Sequence, residues 1–243
     1  MKGIILAGGS GTRLDPLTRI TNKHLLPVYD RPMIYYPIEQ LVGAGIDRIM
    51  IVTGGNHAGE FLRLLGNGRS FGLKHLDYAY QDRAGGIAEA LGLTEYFAGG
   101  EPVVVVLGDN IFERSIAPIV NRFRERPRGA LIALAEVDNP GSYGVAEMHD
   151  GRLVRIVEKP KNASSRLAVT GVYLYDSRVF DFVRELRPSG RGELEITDVN
   201  NRFLELGELG HELLEGYWAD CGESIDMLLR ANNLVASKGA NKR

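Results

Sequence analysis

A short apolar stretch, Gly3-Ile4-Ile5-Leu6-Ala7, runs straight into Gly8-Gly9-Ser10-Gly11-Thr12-Arg13-Leu14. Small residues let backbone N–H groups approach a phosphate closely, and successive N–H groups form an anion-binding nest. Arg13 adds a planar five-donor cation that suits phosphate oxygens. The plainer reading is a strand-to-helix turn with a solvated arginine. Three common motifs fail here. A dinucleotide fingerprint needs a third glycine where Leu14 stands, a Walker loop needs Gly-Lys-Ser/Thr, and a nucleophile elbow needs glycine where Thr12 stands.

Four further segments carry chemistry. Lys23, in Asn22-Lys23-His24-Leu25-Leu26-Pro27, lies ten residues past Arg13 and can serve the same triphosphate, although alone it reads as a surface lysine. The run Val103–Leu107 ends in Gly108-Asp109-Asn110, where a carboxylate at a strand end suits Mg²⁺ or, more commonly, caps a turn. Glu158-Lys159-Pro160 closes another apolar run; adjacent side chains on a strand point to opposite faces, so both line a cleft only if the strand ends there. Trp218-Ala219-Asp220-Cys221-Gly222 offers a second metal carboxylate, or an N-cap with Trp218 as core.

Other chemistries lack support. The five histidines are scattered, His211-Glu212 has no second histidine to complete a zinc motif, and no Asp-x-Asp pair occurs. The one cysteine, Cys221, excludes an intrachain disulfide and reads as a small buried side chain. Twenty-nine Lys+Arg against 31 Asp+Glu leave no basic excess for a nucleic-acid backbone. The longest apolar runs fall far short of the roughly 18 residues of a membrane span. A cytoplasmic protein with no nucleic-acid or membrane partner is expected.

These residues need elements to position them. With 243 residues, 44% hydrophobic and 25% charged, the composition is that of a globular chain. The reading is one domain over 1–236 and a polar tail, 237–243, that frays. Apolar runs at 3–7, 48–52, 75–80, 103–107 and 130–135 alternate with helical patterns at 33–42, 57–65, 86–97 and 116–126, as in a mostly parallel sheet covered on both faces. Runs at 145–148, 153–158 and 169–175 read as meander strands, followed by helices at 178–186 and 196–206 and one after Gly222. The expected fold is α/β, with a mixed central sheet and a smaller C-terminal part. Ligands in such sheets sit beyond the carboxyl ends of the strands, where the segments above lie.

Taken in order, Gly8–Leu14, Lys23–Val28, Pro32-Met33-Ile34-Tyr35-Tyr36-Pro37, Gly108-Asp109-Asn110, Tyr143-Gly144-Val145, Glu158-Lys159-Pro160, Val169-Thr170-Gly171, Arg191–Asn200 and Trp218-x-Asp220-x-Gly222 resemble the sugar-nucleotide pyrophosphorylases, within them the glucose-1-phosphate thymidylyltransferases. The resemblance runs from residue 3 to about 235 and implies a Rossmann-like three-layer nucleotidyltransferase fold. It implies that Leu6, Ala7, Gly8, Gly9, Ser10, Gly11 and Thr12 hold the nucleotide phosphates and that Gln81 and Gly86 meet the base. Arg13 and Lys23 would stabilise the triphosphate, and Asp109 and Asp220 would hold Mg²⁺. Tyr143, Gly144, Glu158 and Val169 would contact the sugar, with Lys159 and Arg191 at its phosphate. Two positions depart from the pattern: Glu223 stands where Thr or Ser is usual, and Gly85 stands where longer members carry Asp.

The implied reaction is thymidylyl transfer from dTTP to glucose 1-phosphate by a symmetric homo-oligomer, a dimer or tetramer. Uridylyl or cytidylyl transfer to another sugar phosphate stays open. A regulator that binds nucleotide sugars without turnover is a further alternative, disfavoured because Arg13, Lys23, Asp109, Lys159 and Asp220 are all present.

Overall fold

The computed structural model describes residues 1–9 and 11–242. The strands are β1 (Lys2–Ala7), β2 (Pro27–Val28), β3 (Arg31–Pro32), β4 (Arg48–Gly54), β5 (His75–Gln81), β6 (Val103–Leu107), β7 (Asn110–Phe112), β8 (Ala130–Glu136), β9 (Gly144–His149), β10 (Arg152–Glu158), β11 (Leu167–Tyr175), β12 (Leu209–Leu213) and β13 (Trp218–Asp220). The helices are α1 (Tyr35–Gly43), α2 (Ala58–Leu65), α3 (Ile87–Gly92), α4 (Glu95–Ala98), α5 (Ala117–Glu125), α6 (Val179–Glu185), α7 (Ile196–Glu205) and α8 (Ile225–Lys238).

Nine of these strands form one mixed sheet. β6, β1, β4 and β5 lie side by side and parallel, and β11 closes antiparallel against β6. Both faces are covered at the centre of this sheet, so Gly3–Ala7 of β1 and the whole of β6 are apolar, whereas the outer strands β5 and β10 carry exposed polar residues. In β1, Ile5 and Ala7 meet α1, α2 and α5 on one face, while Ile4 and Leu6 meet α3, α6 and α7 on the other. The result is the three-layer α/β arrangement with a mixed central sheet that the sequence implies. A third, smaller core packs α8 (Leu228, Ala231, Val235) against Leu26, Val28, Ile111 and Ala219.

β11 is where the second half departs from a simple meander. One of its edges pairs with β8, which pairs in turn with β12. Its other edge forks: Val172–Tyr175 pair with β6, whereas Ala168 pairs with Val145 of the β9–β10 hairpin. β10 therefore does not neighbour β11, although it precedes it in sequence. The fork falls at Thr170-Gly171, between the paired stretches, and opens the sheet into a cleft.

Two short strands extend the carboxyl end of β6. β7 and β13 pair antiparallel, with Trp218 opposite Phe112 and Asp220 opposite Asn110. The chain's last described residues hold this pair from below. The N–H groups of Asn241 and Lys242 donate to the carbonyls of Phe112 (2.9 Å) and Glu113 (2.8 Å), and the N–H of Ser115 donates to the Lys242 carbonyl (2.7 Å). The structure places this part of the tail, expected to fray, against the β7 segment, where the backbone of residues 241 and 242 meets its open edge. No helix among the described residues is long and apolar enough to cross a membrane.

Deleting residues 239–243 removes these three bonds, at about 1 kcal/mol each. We expect a loss of about 2–4 kcal/mol and a Tm lower by several degrees. An unchanged Tm by calorimetry would show that the segment adds nothing to stability.

Candidate active site

The cleft lies beyond the carboxyl ends of β1, β5 and β6 and is bounded on its far side by β9, β10 and the start of α7. On the near wall, Leu6, Gly8 and Gly9 line it, with Arg13 and Lys23 beside them. Ala7 is turned into the core, so any contact it makes to a ligand is through its backbone. Gly11 and Thr12 begin a 3-10 turn set back from the cleft walls. Ser10 lies outside the described residues. Gln81 and Gly86 line the same wall, deeper in.

Asp109 follows β6 and Asp220 ends β13. The β7–β13 register brings them together: the Cys221 N–H donates to the Asp109 carbonyl (2.9 Å). Lys23 ion-pairs with Asp109, both nearly buried. Burial raises the Asp109 carboxyl, but the Lys23 ammonium overrides it and holds the group below the usual carboxylate range. Asp220 has no ion-pair partner among the described residues and accepts the Gly222 N–H (2.9 Å). Burial, then the Asp109 charge, push its carboxyl up to about 7. Gly222 passes so close that a Cβ there would lie 2.3 Å from Asp109 Oδ2 and 2.6 Å from Lys23 Nζ.

Two buried carboxylates with one ammonium between them leave a site short of positive charge. Among the described residues no group of three or more His, Cys, Asp or Glu forms a complete metal cage. The donor set therefore fits a hard divalent cation that takes one or two carboxylates and completes its shell with water and phosphate oxygens.

On the far wall stand Tyr143, Gly144, Glu158, Lys159, Val169 and Arg191. β10 ends at Glu158, and Lys159 adopts a left-handed φ of 42° while its N–H donates to the Tyr143 carbonyl (2.9 Å). That turn breaks strand alternation, so both side chains of the dipeptide line the cleft. Arg191 is surrounded by carboxylates, at 2.8 Å from Glu195, 3.2 Å from Glu158 and 3.4 Å from Glu193. Thr197 Oγ1 donates to Glu158 (2.5 Å).

Several site residues carried no role in the sequence reading. Asn110 is buried and joins three elements. Its Oδ1 accepts from the Gly171 N–H (3.1 Å) and Trp218 Nε1 (2.5 Å), and its Nδ2 donates to Asp109 Oδ1 (3.0 Å). Trp218 packs against the core, as its type suggests, and its other side is a cleft wall, edge-on to Tyr143 at 5.1 Å. His24 lines the cleft as a neutral imidazole, since burial and then Lys23 push its pKa down to about 3. Glu223 accepts from Tyr143 Oη (2.6 Å) and Ser142 Oγ (2.8 Å), which tethers the far lip to the turn after Asp220. Each arises from pairing between distant segments. Their positions were legible beside the motifs, Asn110 after Asp109, His24 after Lys23 and Trp218 and Glu223 around Asp220, but their roles were not.

Cations on opposite walls of a cleft, around a carboxylate pair at strand ends, define an α/β protein built to bring phosphate-bearing ligands together. The nucleotidyl transferase family model matches residues 2–238, and the chain belongs to that family. A glucose-1-phosphate thymidylyltransferase from Actinoplanes sp. is 47% identical over 232 residues, 94% of this chain and 76% of that protein. A crystal structure from Bacillus anthracis, of a protein assigned as a glucose-1-phosphate thymidylyltransferase and in complex with sucrose, is 50% identical with a TM-score of 0.93, over 98% of this chain and 96% of that one. A UDP-glucose pyrophosphorylase in complex with UDP-glucose is 26% identical with a TM-score of 0.84, over 98% of each chain.

An acid whose folded pKa is raised from 3.8 to about 7 makes folding less favourable as pH rises through that window. Metal-free Asp220→Asn is therefore expected to melt several degrees above metal-free wild type at pH 8, with the difference shrinking toward pH 5. Melting curves in chelator across that range check it, and equal Tm values at pH 8 would contradict it.

Proposed function

We propose that the chain transfers a thymidylyl group from dTTP to α-D-glucose 1-phosphate, giving dTDP-glucose and pyrophosphate. The observation that carries this reading is the two-walled cleft: Arg13 and Lys23 on the glycine-loop side, Lys159 and Arg191 on the other, and the Asp109–Asp220 pair between them. The identity to glucose-1-phosphate thymidylyltransferases over nearly the whole chain supports the same choice of substrates. By the same resemblance the protein works in the cytoplasm as a symmetric homo-oligomer.

An oxygen of the sugar phosphate attacks the α-phosphorus. A new P–O bond forms, the α–β anhydride bond breaks, and its electron pair leaves with pyrophosphate. The nucleophile is already an anion, so no general base is required; the work is positioning and charge neutralisation. The glycine loop and Arg13 hold the triphosphate against Lys23. Lys159 holds the sugar phosphate in line from the opposite wall, and Glu158, fixed by Thr197, accepts sugar hydroxyls. The half-buried cleft excludes bulk water and strengthens each of these contacts. Asp109 and Asp220 would hold Mg²⁺, which when bound neutralises charge on the phosphoryl oxygens.

Pyrophosphate release with glucose 1-phosphate and Mg²⁺, measured in parallel with dTTP, UTP, CTP, ATP and GTP, tests the reading. Release is expected to be strongest with dTTP. Preference for another nucleotide would change the substrate, and no release with any would overturn the assignment. Lys159→Ala is expected to raise the KM for glucose 1-phosphate by about tenfold or more, in line with the loss of a charge-assisted contact, while the dTTP KM stays within about twofold. A rise confined to the dTTP KM would contradict its place on the sugar side.

A further inference from the structure

Gln81 ends β5 and is almost fully buried, yet it faces the cleft. Its side-chain nitrogen donates to Glu89 Oε1 at 3.1 Å and to the Gly86 carbonyl at 3.3 Å. Both partners can only accept, so the amide cannot turn over without losing both bonds and setting its oxygen against a carboxylate. The carbonyl oxygen is consequently directed the other way, against Gly8, where a Cβ would come within 2.6 Å of it. No described residue donates to that oxygen. The oxygen is open to the cleft on an otherwise nearly buried side chain, and an acceptor so placed without a protein donor calls for a donor on the ligand.

Glu89 is itself held in place. Arg83 donates to its other oxygen at 3.2–3.3 Å, and the carboxylate fills the space beside residue 85, where any Cβ would lie only 2.1 Å away. Glycine at position 85 and glutamate at position 89 are thus one arrangement: a side chain at 85 would displace the carboxylate that orients Gln81.

We propose that Glu89 is a positioning residue that sets base selectivity, by locking the Gln81 amide with its oxygen toward the nucleotide. The inference rests on the cleft binding dTTP as proposed above. Thymine and uracil carry a ring N3–H that donates to such an acceptor, whereas cytosine presents an unprotonated N3 lone pair there. A freely turning amide would serve either base. A locked one opposes lone pair to lone pair with cytosine and leaves a buried acceptor unsatisfied.

The test compares kcat/KM for dTTP and dCTP, at saturating glucose 1-phosphate, in wild type, Glu89→Ala, Glu89→Met and Glu89→Gln. Wild type is expected to favour dTTP by about 10²-fold or more. The ratio is expected to fall at least about tenfold in Glu89→Ala and in Glu89→Met, which keeps the length without an acceptor, while the KM for glucose 1-phosphate is unchanged. Glu89→Gln, whose amide oxygen still accepts from Gln81, is expected to keep the ratio within about threefold. If Glu89→Ala fails to fold, Glu89→Met carries the comparison. Equal losses with both nucleotides at an unchanged ratio would overturn the proposal and leave Glu89 a structural residue, as would a wild type that uses dCTP as well as dTTP. A wild type inactive with dTTP would instead refute the thymidylyl-transfer reading itself.

Discussion

The site depends on one buried amide. Asn110 sits where the sheet splits, and its three hydrogen bonds tie the β11 fork, the β13 tryptophan and the Asp109 carboxylate to one point. A buried amide with three strong bonds made is specific in a way apolar packing is not, because a small displacement leaves donors or acceptors unsatisfied in a low-dielectric setting. The fork is what creates the cleft. Had β11 paired along its whole length with β6, the sheet would close and the β9–β10 wall would have no place to stand. Gly171 sits at the split and donates its N–H to the Asn110 side chain in place of a ladder partner. The break in the ladder is thereby satisfied rather than left open.

Charge is arranged on the same frame. The inner cation, Lys23, is committed to Asp109, and Arg191 is committed to three carboxylates. Lys159 and Arg191 are about equally exposed and both lie further out than Lys23; Arg13 makes no ion pair among the described residues, and Lys159 has only a loose one at 3.9 Å with Glu158. This pairing has a physical logic. Weakly paired cations attract a polyanion at long range, and firmly paired ones keep the empty cleft neutral enough to remain folded. The exception is Asp220, whose burial the Lys23 charge and the Gly222 N–H offset only in part, so that a proton or a cation stabilises it further.

Much of the fold was legible because it is local. Val103–Val106 and Ile4–Leu6 read as buried parallel strands since both their faces are apolar, and the strand-end positions of Gly8, Asp109 and Lys159 followed from where those runs stop. Strands set by pairing alone were not legible. β7, β13 and β12 are short and carry little pattern, and the pairing of β11 with β9 rather than β10 depends on a partner far away in sequence. Trp218 shares that cause: it reads as core by type, and only its distance to Asn110 and Tyr143 turns it into a wall. Glu195 and Glu193 differ in cause: they lie four and two residues from Arg191, in the segment just before α7, and look like solvated charges until the local turn is known.

The two walls are not independent, and the reason is covalent as well as spatial. Asp220 and Glu223 lie three residues apart, one facing the carboxylate pair and the other holding Ser142 and Tyr143 on the far lip. Tyr143 in turn packs edge-on to Trp218, two residues before Asp220. The Glu223 bonds and the Trp218 contact therefore join the far lip to the Asp220 segment at two points. A Thr or Ser at 223 has a single short hydroxyl, whereas a carboxylate offers one oxygen to each of two donors. In this chain the glutamate thus makes a two-pronged tether between the far wall and the carboxylate pair.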